Sequence, residues 1–269
     1  MLNVLLNGAK GRMGTAITNY IKELPDFNLL YSIDKDNSDM FHKINKKPDL
    51  IIDFSTPSAC FTALNYAVEN LVPIIIATTG FSQTEEMKIK EFSEAIPIFK
   101  SSNMSYGIAL FSNMSALFAK KLKNYDIEII EKHHRNKADA PSGTAIMVAD
   151  NICRMCKKKY KYVFSRTNDQ PRLSNHEIGF SSVRGGSLIG EHSVLFLNDN
   201  EKIEITHTAY SRNIYVEGTI RAARFILTKK NGLYSMKDLL WEQYNKRTGL
   251  KILCVLDVGD TPFCPKIQK

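Results

Sequence analysis

The stretch LNVLLNGAKGRMG, residues 2–14, decides how the first half of this chain folds. Residues 2–7 read as a short buried strand, and the residues after Gly14 carry apolar positions Ile17, Ile21 and Leu24 at helical spacing, stopped by Pro25. Between them lies Gly8-Ala9-Lys10-Gly11-Arg12-Met13-Gly14. A Gly-x-x-Gly-x-x-Gly pattern by itself fits any tight turn. Placed between a strand and a helix, it lets backbone N–H groups approach a pyrophosphate, and the helix N-terminus adds partial positive charge. A second strand, residues 27–33, ends at Asp34, 20 residues past Gly14. An acid there accepts hydrogen bonds from an adenine ribose. Lys35 beside it offsets repulsion of a 2′-phosphate, so the pair Asp34-Lys35 predicts use of both NADH and NADPH.

Outward from this unit the alternation continues. Residues 50–54 form a strand, and Ser55-Thr56-Pro57-Ser58 opens a helix to about residue 70. A buried strand at 74–77 closes in Thr78-Thr79-Gly80, a helix covers 83–95, and a strand at 96–100 ends in Ser101-Ser102-Asn103. Strands alternating with helices through short loops predict an α/β, Rossmann-like parallel sheet with helices on both faces. Small polar residues at its carboxyl ends can meet the ribose and carboxamide of a dinucleotide. The rhythm then changes. A helix at 107–123, a strand at 126–134 and a helix at 142–158 precede strand-like runs at 177–184, 188–197 and 201–209. Gly185-Gly186 and Asp199-Asn200 are expected to turn hairpins between those runs. This predicts a second α+β domain with a mixed or antiparallel sheet. The expected division is residues 1–104 for dinucleotide binding, 105–213 for substrate binding and oligomerisation, and 214–269 for a return to the first domain plus an extra tail.

The chain has 269 residues, 43% hydrophobic and 24% charged, which excludes a wholly disordered chain, a collagen and a coiled coil. No run approaches the ~18 to 20 apolar residues of a membrane helix. The amino terminus enters the first strand without a basic leader and cleavage site, and the 5 cysteines are scattered. Both features favour a reducing cytoplasm. Basic residues exceed acidic ones by 8 and the pI is near 9.1. Lys and Arg are dispersed in small groups without interleaved aromatics, which argues for affinity toward small anions and against nucleic acid as a partner.

The most informative stretch is EKHHRNKADAPSGTA, residues 131–145. His133, His134, Arg135 and Lys137 fall within five residues after a strand. Neighbouring cations lower one another's pKa, which suits an imidazole working as acid or base near neutrality. Ser142-Gly143-Thr144 opens a helix whose backbone N–H groups, with the Thr144 hydroxyl, form a carboxylate cradle. Acid/base groups beside an anion cradle imply a small acidic substrate. A capped basic surface loop is the plain alternative.

This string resembles the signature of the 4-hydroxy-tetrahydrodipicolinate reductase (dihydrodipicolinate reductase) family of bacterial lysine biosynthesis. Gly8-x-x-Gly11-Arg12-Met13-Gly14, Ile52-Asp53-Phe54-Ser55, Thr78-Thr79-Gly80-Phe81 and Asn103-Met104-Ser105-Tyr106-Gly107 resemble family segments in order. So do Ser182-Val183-Arg184-Gly185-Gly186, Gly190-Glu191-His192, Ile205-Thr206-His207 and Ser211-Arg212, extending the resemblance over about residues 1–240. The resemblance implies an NAD(P)H-dependent oxidoreductase acting on a cyclic imine made by loss of water from the hydroxy compound. It implies His133 as proton donor and acceptor, Lys137 as second proton donor, and His134, Ser142, Gly143 and Thr144 around the substrate carboxylates. It implies Gly8, Ala9, Lys10, Gly11, Arg12 and Met13 at the pyrophosphate and Asp34 and Lys35 at the adenosine ribose. Ala77, Thr78, Thr79, Ser101, Ser102, Asn103 and Met104 fall on the nicotinamide side, and the active enzyme is expected to be a homotetramer built through the second domain's sheet.

Two departures stand out. The segment between Asp34 and Asp49 is short where the family usually has another strand. About 29 residues follow the usual family end, among them the apolar run 250–258 with Cys254 and, beyond it, Cys264. Cys153 and Cys156 form a C-x-x-C inside an expected helix with no second pair for zinc, so helix packing is their expected role. Structural roles are expected of His176, His192 and His207, and none is assigned to Arg184 or Arg212. Two other functions remain compatible with the glycine loop: another two-domain dehydrogenase of an amino-acid-derived acid, and a dinucleotide-binding redox sensor that also binds nucleic acid.

Overall fold

Strand β1, Leu2–Asn7, lies inside a six-stranded sheet with β2 (Phe27–Ile33), β3 (Leu50–Asp53), β4 (Ile74–Ile76), β5 (Pro97–Lys100) and β11 (Gly232–Tyr234). These coordinates are a computed structural model that describes residues 1–168 and 171–248, without the side chains of 243–248. The apolar run 250–258, Cys254 and Cys264 lie outside the described residues. The described chain divides into two units, one comprising Met1–Tyr106 with Asn213–Tyr244, the other built on Gly107–Arg212.

All strands of the first sheet are parallel, in the order β2-β1-β3-β4-β5-β11. Val4, Leu5 and Leu6 of β1, Leu50, Ile51 and Ile52 of β3 and Ile74, Ile75 and Ile76 of β4 are fully buried. Such unbroken apolar runs are what a sheet covered on both faces requires. Helices α1 (Arg12–Ile21), α2 (Pro57–Glu69), α3 (Gln83–Phe92), α6 (Asn213–Ile226) and α7 (Met236–Thr248) belong to this unit, α7 running a few residues past its end. Thr56 caps α2 and Pro57 occupies its first turn, where a missing N–H costs nothing. The chain leaves β2 and returns on the far side of β1, so the strand order reverses between β1 and β3. No strand forms after Asp34. Lys35–Lys43 winds instead as a 3-10 segment capped by the Asp34 side chain, with Phe41 buried against Tyr66. The sheet therefore ends at β2. The return of the chain to this unit adds β11 beside β5, a strand the sequence pattern did not reveal.

The second unit holds a five-stranded sheet of β6 (Asp126–His133), β7 (Lys161–Val163), β8 (Glu177–Arg184), β9 (Gly190–Leu197) and β10 (Lys202–Ala209). Its order is β10-β9-β6-β8-β7. β6 runs parallel to β8 and antiparallel to β9. This corrects the expected hairpin at Gly185-Gly186, because β6 lies between the strands that this turn connects. Alternation of apolar residues tells which face a strand buries, not which strand lies beside it. The turn at Asp199-Asn200 does join antiparallel neighbours, with Leu197 opposite Lys202. Helices α4 (Tyr106–Lys121) and α5 (Gly143–Cys156) supply the apolar layer against this sheet. Their core contains Phe111, Val148 and Ile152 with Ile127, Ile129, Phe180, Val194 and Phe196. Cys153 and Cys156 pack against that core as free thiols.

Candidate active site

Every second residue of β6 is buried, so Glu131 and His133 share the inward face with Ile127 and Ile129. A carboxylate in such a place needs partners. Arg184, opposite His133 in the β6–β8 register, donates Nη1 to Glu131 Oε2 at 2.9 Å and Nη2 to Oε1 at 2.5 Å. The Ser142 N–H donates to Oε1 at 3.3 Å, and the Nδ1 of His133 contacts Oε2. Burial opposes the charge on Glu131, but Arg184, Ser182 and His133 together hold its pKa below the usual carboxylate range. The pKa of His133 is lowered, chiefly by burial, with Lys137 and Arg184 adding to the effect and Glu131 opposing it.

His192, opposite Glu131 on β9, stacks edge-on to His133 with ring centroids 5.1 Å apart. Its Nε2 hydrogen-bonds the Ser142 Oγ at 3.0 Å, and burial pushes its pKa down to about 3. A neutral imidazole here therefore buttresses both His133 and the cap of α5. Gly190 comes so close that an added Cβ would stand 2.9 Å from the His133 Nε2. The bare Cα is what leaves room for that nitrogen.

Beyond β6, the Lys137 ammonium pairs with Asp139 Oδ1 at 2.8 Å, and the Gly143 N–H donates to Asp139 Oδ2 at 3.4 Å. Ser142 caps α5 by accepting from the Ala145 N–H at 3.2 Å. The expected carboxylate cradle thus already receives a carboxylate of this chain, in keeping with the chemistry of a helix N-terminus. Gly143 is exposed and Thr144 and His134 are half-buried. The structure brings together His133, Lys137, Ser142 and Gly143, and adds Glu131, Arg184, Asp139 and His192. Arg184 had no assigned role in the sequence and His192 only a structural one. The β6 neighbours that bring them in lie about 50 residues along the chain.

In the first unit, Gly8 takes φ +82°, and the Gly8 and Ala9 N–H groups donate to Ile33 O at 2.8 and 3.0 Å. Gly11 caps α1, and a Cβ on Gly14 would stand 2.2 Å from Gly8 O, so the helix start packs directly on the loop. The Lys10 and Lys35 N–H groups both donate to the Asp34 carboxylate at 2.8 Å. An acid at the end of β2 beside a glycine-lined loop fits a dinucleotide's ribose and pyrophosphate. Lys10, Arg12 and Lys35 are exposed and Met13 is half-buried. Asp53, fully buried at the end of β3, accepts from Asn7 Nδ2 at 2.7 Å and from the Ser55 and Thr78 hydroxyls at 2.6 Å. Burial raises its pKa against these four-way hydrogen bonds from Ser55, Thr78, Cys60 and Asn7. The Thr78 hydroxyl is therefore a strut between strand ends, and Thr79 beyond it is exposed. Ser101 Oγ donates to Asn103 O at 2.7 Å, ordering the turn after β5, in which Ser102 is exposed and Met104 buried. Among the described residues no cluster of His, Cys, Asp and Glu could hold a metal ion.

A family model described as "Dihydrodipicolinate reductase, N-terminus" matches residues 2–104, and one described as "Dihydrodipicolinate reductase, C-terminus" matches residues 107–240. The chain is 40% identical over 248 residues to a 4-hydroxy-tetrahydrodipicolinate reductase of Caldanaerobacter subterraneus, covering 89% of this chain and 98% of that protein. It is 39% identical over 241 residues to the protein of the same name from Rickettsia rickettsii, covering 89% and 99%. Among solved structures, a dipicolinate-bound dihydrodipicolinate reductase from Paenisporosarcina sp. TG-14 shares the fold with a TM-score of 0.73 at 23% identity, covering 87% of this chain and 97% of that one.

Proposed function

The chain belongs to the dihydrodipicolinate reductase family, and from that premise we propose that it reduces the cyclic imine formed from 4-hydroxy-tetrahydrodipicolinate by loss of water. It is an NAD(P)H-dependent oxidoreductase of lysine and diaminopimelate biosynthesis. The observation that carries the reading at the level of residues is the buried Glu131–His133 pair beside Lys137 and the α5 N-terminus.

The reduced nicotinamide, when bound, supplies a hydride to the electrophilic carbon of the conjugated imine. The roles that follow belong to this chain. Gly143, Thr144 and His134 hold the substrate carboxylates, with Ser142 shaping the cradle. The positive charge of Lys137 and of the helix end draws electron density from the carbon that is reduced. The electron pair displaced along the conjugated system is protonated at its far end by His133 or Lys137. Gly8 to Met13 line the pyrophosphate at the start of α1, Asp34 the ribose, and Lys35 a 2′-phosphate where one is present. Ala77 to Thr79 and Ser101 to Met104 line the nicotinamide side.

The active form in this reading is a homotetramer joined through the outer face of the β6–β10 sheet, where Val183 of β8 stands exposed, and it works in the cytoplasm. No helix among the described residues is long and apolar enough to cross a membrane.

The test is oxidation of NADH and NADPH with substrate generated in place by the synthase that makes the hydroxy-imine. Cofactor consumption is expected only when the synthase runs, and its absence overturns the proposal. His133→Gln should lower kcat by about 10²- to 10⁴-fold, the usual share of a general acid or base. Its dissociation constant for NADH should stay unchanged; a matching loss of NADH affinity would remove the chemical role of His133.

A further inference from the structure

We propose that Glu131, anchored by Arg184, is the positioning residue that sets which nitrogen of His133 performs the proton transfer. The inference rests on the reading of His133 as the acid/base group. Both residues project from the inward face of β6, two positions apart. The carboxylate is fully buried and receives donors on both oxygens: Arg184 on each, the Ser142 N–H on Oε1 and the imidazole on Oε2.

A guanidinium and a backbone N–H can only donate, so this carboxylate stays an acceptor. The proton of the neutral imidazole therefore sits on Nδ1, and Nε2 carries the lone pair. Nε2 is the nitrogen facing the bare Cα of Gly190. When Nε2 takes a proton, the cation is next to Glu131. The other charged or titratable groups facing His133 all work against that cation: Lys137 from the following loop, Arg184 from β8 and His192 from β9. Glu131 is the one counterweight on the inward face of β6. Its hold on the Ser142 N–H also ties the ring's orientation to the helix start that receives the substrate carboxylate. Arg184 fixes the carboxylate in two places and donates to Asp139 O at 2.7 Å, bracing the loop that carries Lys137. The arrangement parallels the aspartate that orients the histidine of a hydrolytic triad, built here within the single strand β6 and braced by Arg184 from β8.

Glu131→Gln tests this in the full-length enzyme. Gln keeps the shape and an acceptor oxygen but loses the charge. We expect kcat to fall by at least about 10-fold, toward the ~10⁴-fold lost when the acid that orients a triad histidine is made its amide. KM for NADH and the affinity for dipicolinate should stay within about 3-fold, a split that a merely structural role would not produce. The limb of the kcat–pH profile that reports His133 should move to lower pH, because the group opposing its deprotonation is gone. Glu131→Asp should recover part of the lost rate. An active wild type with a Glu131→Gln variant equal in kcat and pH profile overturns this inference and leaves the family reading intact. A wild type with no turnover overturns the family reading instead. Nitrogen NMR of histidine-labelled wild-type protein needs no variant: a protonated Nδ1 and an unprotonated Nε2 on His133 at neutral pH support the assignment, and the opposite tautomer overturns it.

Discussion

Replacing Gly190 by Ala places one methyl group against the proposed acid/base imidazole. Gly190 opens β9 opposite Ala209, in backbone that any residue can adopt, so the perturbation is purely one of space. The new Cβ would stand 2.9 Å from Nε2 and 3.2 Å from Cδ2 of His133. Comfortable contact for such atoms begins near ~3.5 Å, so ring or strand must yield by roughly 0.6 Å. The ring has little freedom to do so, since Glu131 holds Nδ1 and His192 lies edge-on 5.1 Å away. A misplacement of ~1 Å costs about 100-fold in rate, so the shift worked out here predicts a fall in kcat on the order of 10- to 30-fold. Overpacking of this kind also costs about 1–3 kcal/mol of stability. The assay is steady-state NADH oxidation in the coupled system, with a thermal melt to show that the variant is folded. Gly185→Ala is the control, because a Cβ there meets nothing within 4 Å. A folded Gly190→Ala enzyme with wild-type kcat would refute the placement of His133 and the argument built on it.

Gly14→Ala should be harsher on the cofactor side. Its Cβ meets backbone, Gly8 O at 2.2 Å and Ala9 C at 2.7 Å, which cannot step aside without distorting the loop. Fluorescence titration should show NADH binding weakened by at least about 10-fold, and unchanged binding would mean that the loop does not hold the pyrophosphate. Lys35→Ala should weaken NADPH more than NADH, because the exposed ammonium has a 2′-phosphate to meet only in the former; equal effects in a binding titration would remove that role. His192 gives a stability prediction with a definite sign. Burial keeps it neutral in the folded state down to about pH 3, whereas in the unfolded chain it takes a proton near ~6.5. Its contribution is complete above the unfolded value and is lost as pH falls through that window, by up to about 1.4 kcal/mol per pH unit. Urea midpoints of wild type and His192→Gln, compared from neutral pH down to about 4, should show the shallower acid limb in the variant, and parallel curves would contradict the buried neutral imidazole.

Much of the fold was legible because its signals are local. The apolar runs of β1, β3 and β4 mark strands covered on both faces, and Thr56-Pro57 and Ser142 mark helix starts through side chains that reach only a few residues. The glycine loop was legible for the same reason: what it demands is absence of side chains at positions adjacent in sequence. The short strands β7 and β11 escaped, since three residues carry no detectable period and their identity as strands comes from β8 and β5. The Gly185-Gly186 turn was misread as a hairpin because turn chemistry does not say whether a third strand lies between its arms.

The sequence by itself determined the alternation of strands and helices, the glycine loop with Asp34, and the clustering of His133, His134, Lys137 and the α5 start, since each rests on residues close along the chain. Only the tertiary structure decided that β6 sits between β8 and β9. That placement seats Arg184 and His192 on either side of Glu131 and His133 and brings Gly190 against Nε2. The physical reason is that the partners of a buried charge are chosen by strand order and register, which pair residues some fifty positions apart and leave no periodic trace in either segment.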